Sequence, residues 1–296
     1  MANLKDIQRK IKSVSSTQKT TRAMKLVSTA KLRRAEELAK RSRLFAEKTN
    51  AMISELASQI ECMKIGGIEN RAFSEIEAPK MVDIIFVTAD KGLCGGFNMQ
   101  TIKAVRKLMA EFKDEKVKVR LRGIGKKGIE FFSYNQVEML DQEIGLSSAP
   151  DMDRAAEFMD ASIQDFKDGK IDGVYVVYNG YKNVITQELH VNRIMPVDTN
   201  EFDCQDVSKG SLLELEAEDS EKMLDALLTK YAQYNMYYAL IDSVAAEHSA
   251  RMQAMDAATN NAKEMVKKLT VQYNKARQEA ITTELIEIIS GVESMK

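Results

Sequence analysis

The sequence predicts a protein that is α+β by content, with a long antiparallel two-helix coiled coil formed by both termini and an α/β domain inserted between the two helices. Three observations support this fold class. Glycine and proline are missing from both ends of the 296-residue chain, a heptad repeat runs through its C-terminal part, and short apolar segments alternate with helical ones in its middle.

The distribution of glycine and proline predicts uninterrupted helices at both ends. The chain contains 14 glycines, yet none lies in residues 1–65 or 211–290, and all three prolines lie in the middle. Because these two residue types are the strongest helix breakers, their absence favours helices over residues 4–60 and 221–290. At about 1.5 Å per residue, the two helices would measure roughly 85 and 105 Å.

A heptad repeat in the C-terminal helix predicts that it supercoils with a second helix. Alternating steps of four and three residues select a seam that is almost entirely apolar over eight heptads. A 3.5-residue repeat of this length indicates a left-handed coiled coil. The seam consists of Leu227, Tyr231, Tyr234, Tyr238, Ile241, Ala245, His248, Met252, Met255, Thr259, Ala262, Val266, Leu269, Tyr273, Ala276, Ala280 and Thr283.

The N-terminal helix is the expected partner. It carries two apolar seams, and between them the phase slips across the polar residues 15–22, which predicts looser pairing there. Residues 1–60 carry 14 Lys/Arg against five Asp/Glu, whereas residues 211–290 carry eight against 13, and this opposite bias favours pairing. The alternative is two solvated helices that bind separate partners. The two seams are Leu4, Ile7, Ile11 and Val14, then Ala35, Leu38, Ser42, Phe45, Thr49, Met52 and Leu56.

The middle of the chain alternates strands with helices, which predicts a small α/β domain. The predicted strands are 81–88, 116–125, 173–179 and 186–196, and the predicted helices are 98–113, 126–133 and 151–168. We therefore divide the chain into four parts: the N-terminal coiled-coil helix 1–62, the inserted domain 75–200, an acidic connecting segment 201–220 and the C-terminal coiled-coil helix 221–296.

A glycine motif offers the sharpest enzymatic hypothesis. Residues 123–128, GIGKKG, fit the G-x-G-x-x-G pattern of dinucleotide-binding proteins, with Asp141 or Glu143 as a possible partner for a ribose hydroxyl. The motif follows the second predicted strand rather than the first, however, and two lysines occupy the turn. An ordinary tight turn explains the pattern more simply than a nicotinamide cofactor does.

A second glycine cluster, KGLCGGFN at 91–98, could present backbone N–H groups to an anion, but it lacks the spacing of a P-loop. Its simplest interpretation is a tight loop that passes close to another backbone. Cys94 has no neighbouring histidine in sequence, and His190 and His248 lie far apart, so no nucleophile or metal-ligand pattern emerges. We expect no catalysis by this chain alone, and no cofactor or metal.

Composition excludes several other classes of protein. The net charge is −1, which gives no general attraction to nucleic acid. There is no run of 18 apolar residues and no N-terminal secretion signal, so membrane association is expected only through partners. The three cysteines are far apart and never form C-x-x-C, which favours a reducing compartment.

The end of the C-terminal helix is apolar on nearly its whole circumference. A helix that is apolar all round must be surrounded, so we expect this tip to lie inside a socket made by other chains. Gly291 is a natural C-cap. The residues concerned are Ile281, Leu285, Ile286, Ile288, Ile289 and Val292.

Four segments, in the same order, resemble the gamma subunit family of F-type ATP synthases. They are SSTQKTTRAMKLVSTAKLRRA (15–35), TADKGLCGGFN (88–98), AEHSARMQAMDAATNNA (246–262) and YNKARQEAITTELIEIISG (273–291). The resemblance implies a central rotor shaft whose inserted domain is Rossmann-like. In this family the shaft couples proton flow to ATP synthesis or hydrolysis by rotating within a ring of alpha and beta subunits.

The resemblance also implies partners and a location. The expected partners are the alpha and beta subunits, the epsilon subunit and the ring of c subunits, with no nucleic acid. The expected location is the cytoplasmic face of the bacterial inner membrane, as a peripheral protein. A static coiled-coil adaptor that carries an α/β module is the alternative function.

Particular residues take roles from the same resemblance. Ile281, Leu285, Ile288 and Ile289 would form the apolar bearing at the top of the ring; Arg251, Arg277, Gln278 and Thr282 would catch the beta subunit; and Met24, Lys25, Lys91, Gly92 and Cys94 would lie near its acidic lever. Lys91 replaces an arginine common in the family, which keeps the charge but loses the bidentate fork. Residues 62–80 and 200–220 resemble the family least.

Overall fold

The computed structural model describes residues 4–63, 71–73, 76, 78–197 and 220–295. Along the chain, two very long helices stand before and after five strands and three shorter helices. The helices are α1 (Leu4–Met63), α2 (Phe97–Asp114), α3 (Lys126–Tyr134), α4 (Met152–Lys167) and α5 (Ser220–Glu293), with a short 3₁₀ turn at Arg71–Phe73. The strands are β1 (Met81–Val87), β2 (Lys118–Ile124), β3 (Asp141–Glu143), β4 (Gly173–Tyr181) and β5 (Gln187–Met195).

The five strands form one sheet in the order β3-β2-β1-β4-β5. The first four strands are parallel, and β5 pairs antiparallel with β4 at the edge. The predicted strands and helices of this region are confirmed. The short strand β3 was not predicted, because its three polar residues carry no periodic signal.

Helices cover both faces of the sheet, as buried apolar strands require. On one face, β1 and β2 pack against α2 and α3; this cluster includes Ile84, Phe86, Val105, Ile129 and Phe132. On the other face, β1 and β4 pack against α4 and the first part of α5; this cluster includes Ile85, Val176, Met159, Ala232, Met236 and Leu240. The beginning of α5 is therefore a core helix of the α/β domain.

The structure contains two compact units, and their bounds differ from the domain bounds proposed from the sequence. One comprises residues 30–250 and the other residues 1–29 with 251–296. The four parts proposed from the sequence stay a prediction. The acidic connecting segment, 201–220, lies outside the described residues except for Ser220, where α5 begins.

In the unit of residues 1–29 and 251–296, α1 and α5 form an antiparallel pair. Thr21 lies against Thr259 with 2.8 Å between their hydroxyl oxygens, and Lys25 Nζ lies 2.6 Å from Asp256 Oδ1. The predicted α5 seam is confirmed here. Met255 and Ala262 are buried, whereas residues 263–265 between seam positions are exposed.

The predicted seam of α1 is partly wrong. Leu38, Phe45 and Met52 are exposed. Thr21 is buried and lies at heptad spacing from the buried Ile7 and Ser28, so the predicted phase slip across residues 15–22 does not occur. Small and polar residues occupy most of the buried face instead, since they allow close approach of the partner helix. The buried positions are Ile7, Thr21 and Ser28 in one unit and Leu32, Ala35, Ala39, Ser42, Ala46 and Ile53 in the other.

Candidate partner-docking surfaces

The last turns of α5 present an apolar surface to solvent. Because Thr21 lies against Thr259 in an antiparallel pair, Leu4 lies opposite about residue 276, and α5 continues beyond it. Ile288 is 62% exposed and Ile289 is 65% exposed. Ile281, Leu285, Ile286 and Val292 are exposed as well.

This tip surface differs from an ordinary exposed hydrophobic residue. Six large aliphatic side chains are exposed over 12 positions of one helix, and at about 100° per residue they lie on one face that spans roughly 160° of its circumference. Contiguous exposed apolar surface of this kind marks an interaction site. Because the six side chains lie on one face, the prediction that the tip is apolar on nearly its whole circumference is wrong, and its enclosure in a socket stays a prediction.

The predicted beta-contact residues fall into two groups. Arg277, Gln278 and Thr282 are exposed just before and within the tip, and the Thr282 hydroxyl donates to the Gln278 carbonyl oxygen at 2.9 Å. Arg251 is only 7% exposed within this chain. It is therefore not presented to a partner as the other three are, and its role as a contact stays a prediction.

The predicted lever-contact residues lie at two places. Met24 and Lys25 are half-buried on α1, where Lys25 forms its ion pair with Asp256. The exposed Leu26 and Val27 follow them and were missed as candidate contacts. Their signal in the sequence is that two adjacent apolar residues fall outside the seam.

The loop that contains Lys91, Gly92 and Cys94 follows β1 in the other unit. Cys94 is buried, and Asn98 Nδ2 donates to its Sγ at 3.3 Å. A side chain at Gly92 would meet no atom within 4 Å. The prediction that this cluster passes close to another backbone of the chain is therefore wrong at Gly92, which faces open space.

The glycine motif at 123–128 is filled by the chain itself. A Cβ atom at Gly125 would lie 1.8 Å from the Thr88 carbonyl oxygen, and one at Gly128 would lie 2.5 Å from the Phe86 ring. These glycines thus let α3 approach β1 closely. The motif lies between a strand and a helix as predicted, but it serves packing.

The backbone N–H groups at the start of α3 already have partners. Lys126 N donates to Asp90 Oδ1 at 3.0 Å, and Gly128 N donates to Thr88 Oγ1 at 2.9 Å. A pyrophosphate would need these same donors and would meet the Asp90 carboxylate. The hypothesis of nicotinamide binding therefore loses its main support.

Burial raises the pKa of Asp90, but hydrogen bonds from the backbone N–H groups of Lys126 and Gly145 outweigh it and hold the pKa below its ordinary value. The carboxylate is thus suited to stay ionised at the helix N-terminus. The proposed ribose partners are also engaged. Asp141 forms an ion pair with Arg122 at 3.2 Å, and Glu143 forms one with Arg154.

The two histidines occupy separate environments. His190 stacks on Tyr178 in the sheet, with 5.0 Å between ring centroids, and His248 lies on α5. Across the residues that the structure describes, no group of three His, Cys, Asp or Glu side chains could hold a metal ion. No helix within those same ranges is both long and apolar enough to cross a bilayer.

Comparison with known proteins identifies the family. The family model described as ATP synthase matches residues 3–295, nearly the whole chain. The ATP synthase gamma chain of Sulfurimonas denitrificans is 74% identical over 100% of both chains. This chain belongs to the ATP synthase gamma chain family. The gamma chain of Nitratiruptor sp. is 62% identical, again over the full length of both chains.

Solved structures support the same fold. A chain from the central stalk and c-ring of the Tetrahymena thermophila mitochondrial ATP synthase aligns with a TM-score of 0.63 at 23% identity, over 81% of this chain and 99% of that one. A chain from the Euglena gracilis mitochondrial ATP synthase aligns with a TM-score of 0.67 at 16% identity, over 99% and 94%. The fold is therefore shared with chains of solved ATP synthases.

Proposed function

We propose that this chain is the non-catalytic central stalk of an ATP synthase, and that it couples proton flow through the membrane ring to ATP synthesis or hydrolysis at the beta subunits by rotating. The observation that carries the proposal is the exposed apolar tip of α5. An isolated globular protein has no use for six aliphatic side chains in water, whereas a shaft whose end turns within a dry socket requires them.

The tip suits a rotating contact because of its chemistry. Ile281, Leu285, Ile288 and Ile289 offer dispersion contacts without directed hydrogen bonds, so rotation breaks no specific polar pair. Arg277, Gln278 and Thr282 lie beside the tip and provide polar groups that distinguish one beta conformation from another. Such a difference is needed, because equal contact with every state shifts no equilibrium.

The coiled coil suits the transmission of torque. Two supercoiled helices resist twisting better than one, and Lys25–Asp256 and Thr21–Thr259 add polar links across the pair. Each elementary charge that crosses 100 mV supplies about 2.3 kcal/mol, so several protons must be combined for each ATP. The shaft stores and delivers that energy.

The specific partners and the location belong to the same proposal. The alpha and beta subunits surround the helix pair, and Met24, Lys25 and the loop Lys91–Cys94 meet the beta lever. The α/β domain rests on the epsilon subunit and the c-subunit ring. The chain then lies at the cytoplasmic face of the bacterial inner membrane and is held there by its partners.

Reconstitution tests this function. Catalytic rings of alpha and beta subunits are combined with membrane rings in liposomes, with and without this chain. We expect cooperative ATPase activity and ATP-driven proton pumping only when the chain is present. Equal activity and equal pumping in both preparations would refute the proposal, and the chain alone should hydrolyse no ATP.

A further inference from the structure

Arg43 of α1 contacts both α5 and β4. Its Nε donates to the hydroxyl of Tyr238 on α5 at 3.1 Å, and one of its terminal nitrogens donates to the carbonyl oxygen of Tyr181 at the end of β4 at 3.2 Å. The same nitrogen lies 3.9 Å from Asp242 Oδ1 on α5. All these residues belong to the unit of residues 30–250.

Asp242 of α5 contacts the same two residues, Arg43 and Tyr181. Its side chain is 1% exposed, and Oδ1 accepts a hydrogen bond from the backbone N–H of Tyr181 at 3.2 Å. Burial raises the pKa of Asp242, whereas the Tyr181 N–H and Arg43 act in the opposite direction. A buried carboxylate is tolerated only where such donors compensate it, so its position depends on them.

Glycine at position 180 lets the carboxylate reach this place. A Cβ atom there would lie 2.3 Å from Asp242 Oδ2 and 2.7 Å from His190 Nε2. The absence of a side chain at position 180 therefore lets β4 approach Asp242 of α5 closely at this point.

Apolar packing does not fill the space where α1, α5 and the sheet meet. A cavity of about 400 Å³ lies there, with Ala46 on α1 and Ala239 on α5 among its lining residues. Arg43, Tyr178 and Tyr238 also line it. Because this cavity rather than apolar packing lies between α1 and the sheet here, the polar contacts of Arg43 hold α1 to the sheet at this point.

We propose that Arg43 and Asp242 form a joint that fixes the sheet to both long helices, and that Arg43 is a positioning residue for the transmission of torque. This inference rests on the rotor function proposed above. Force applied to the sheet passes to α5 through Tyr181 and Asp242, and to α1 through Arg43. Without the Arg43 guanidinium, α1 can shift relative to the sheet under load, and the torsional stiffness of the chain falls.

Torsional stiffness tests the joint in the assembled enzyme. The catalytic ring is fixed to a surface, and a bead is attached through a biotin introduced at Tyr134, an exposed residue of α3. The thermal angular fluctuations of the bead in a stalled enzyme give the stiffness. We expect Arg43→Leu and Asp242→Asn each to lower it at least twofold, and the double variant to be no softer than the softer single one.

Arg41→Leu is the matched control, because Arg41 is an exposed arginine on the same helix, and its stiffness should equal that of the wild type. If Arg43 only stabilises the fold, Arg43→Leu should reduce the yield of enzyme but leave the assembled molecules as stiff as the wild type. That result would overturn the joint. If Arg43→Leu fails to assemble, Arg43→Lys keeps the charge and loses the fork, and an unchanged stiffness there would overturn the joint equally.

The two proposals fail differently. If the wild-type bead rotates during ATP hydrolysis and all variants are equally stiff, the joint is refuted and the rotor function stands. If the wild-type bead does not rotate while ATP is hydrolysed, the rotor function is refuted and the joint loses its purpose.

Discussion

Thr88 and Asp90, at the end of β1, illustrate how single residues decide between two functions for one motif. The sequence GIGKKG has the spacing of a dinucleotide site, yet Thr88 Oγ1 and Asp90 Oδ1 accept hydrogen bonds from the first turn of α3. The carboxylate takes the place that a phosphate would need. The pattern alone could not show this, because Asp90 lies more than 30 residues earlier in the chain.

Gly125→Ala should destabilise the α/β domain. Gly125 has φ +97°, and the added Cβ would lie 1.8 Å from the Thr88 carbonyl oxygen. We expect a loss of at least about 2 kcal/mol in the free energy of unfolding, measured by urea titration of the full chain.

Gly145→Ala is the control for this substitution. Gly145 has φ +93°, but a Cβ there would meet nothing within 4 Å, so only the backbone strain remains. The loss at Gly145 should be about 1 kcal/mol. Equal losses at the two positions would show that close packing on Thr88 is unimportant.

Asp90→Asn should reduce stability in a pH-dependent way. The folded protein holds the pKa of Asp90 below its ordinary value of 3.8, so the ionised carboxylate stabilises the fold above that value. This contribution is lost as the pH falls through the lowered pKa. We expect the variant to be less stable by about 1–2 kcal/mol at pH 7, with the difference shrinking below pH 4 or so.

Asp114→Asn, at the exposed end of α2, provides the comparison for Asp90. Urea titrations at pH 7 should show a difference of less than about 0.5 kcal/mol from the wild type there. For Asp90→Asn the titrations run from pH 3 to pH 8, and a difference that does not change with pH would contradict the role of the ionised carboxylate.

At the scale of elements, the sequence predicted α5 better than α1. The α5 seam is apolar and therefore visible in its 4-3 spacing. The buried face of α1 consists largely of alanine, serine and threonine, which resemble solvent-facing residues in sequence. Phe45 was assigned to the seam from its spacing, yet it is exposed, and its ring contacts Tyr234 with 4.4 Å between centroids.

Thr21 and Thr259 should behave as a coupled pair across the coiled coil. Each hydroxyl has one proton, so one threonine can donate to the other, and the accepting threonine donates to a carbonyl oxygen of its own helix, Gln18 or Met255. Replacing one threonine by valine leaves the other without its partner and should destabilise the chain by about 1 kcal/mol.

The double variant, with valine at both positions, should be close to wild type in stability, because both hydroxyls are then replaced by methyl groups and no hydroxyl is left without its partner. Thermal unfolding of the four proteins gives the coupling energy. Strictly additive losses would show that the two hydroxyls do not interact.

Ile288→Glu should weaken assembly without affecting the chain by itself. Ile288 is 62% exposed, so glutamate disturbs no core of the chain, but the charge would enter a dry socket in the complex. We expect at least tenfold weaker binding to the catalytic ring, measured by titration with a labelled chain.

Val271→Glu is the matched control for the tip. Val271 is also exposed, at 69%, on the same helix, but it lies before the apolar tip. It should bind the catalytic ring within about threefold of the wild type. Wild-type binding by Ile288→Glu would mean that the socket does not enclose this part of the helix.

At the scale of the whole molecule, fold class and family could be predicted from sequence, because long-range features carry them: glycine-free ends, a sustained heptad and four ordered motifs. The exposed aliphatic residues of the tip were also predicted, because they are dense within one short stretch of α5, whereas their placement in a socket stays a prediction. The joint of Arg43, Tyr181 and Asp242 was not, because Arg43 and Tyr181 are 138 residues apart, Tyr181 and Asp242 are 61 residues apart, and they meet only after folding. Contacts that depend on tertiary geometry leave no local pattern.

As a rotor, this chain should turn while its partners hydrolyse ATP. Video microscopy of a bead on the α/β domain, with the catalytic ring fixed to a glass surface, measures this rotation. We expect the bead to rotate in one direction in discrete steps, at a rate that follows ATP turnover, and to stop when ATP is removed. Steady ATP hydrolysis with a bead that only fluctuates about one angle would contradict the rotor function.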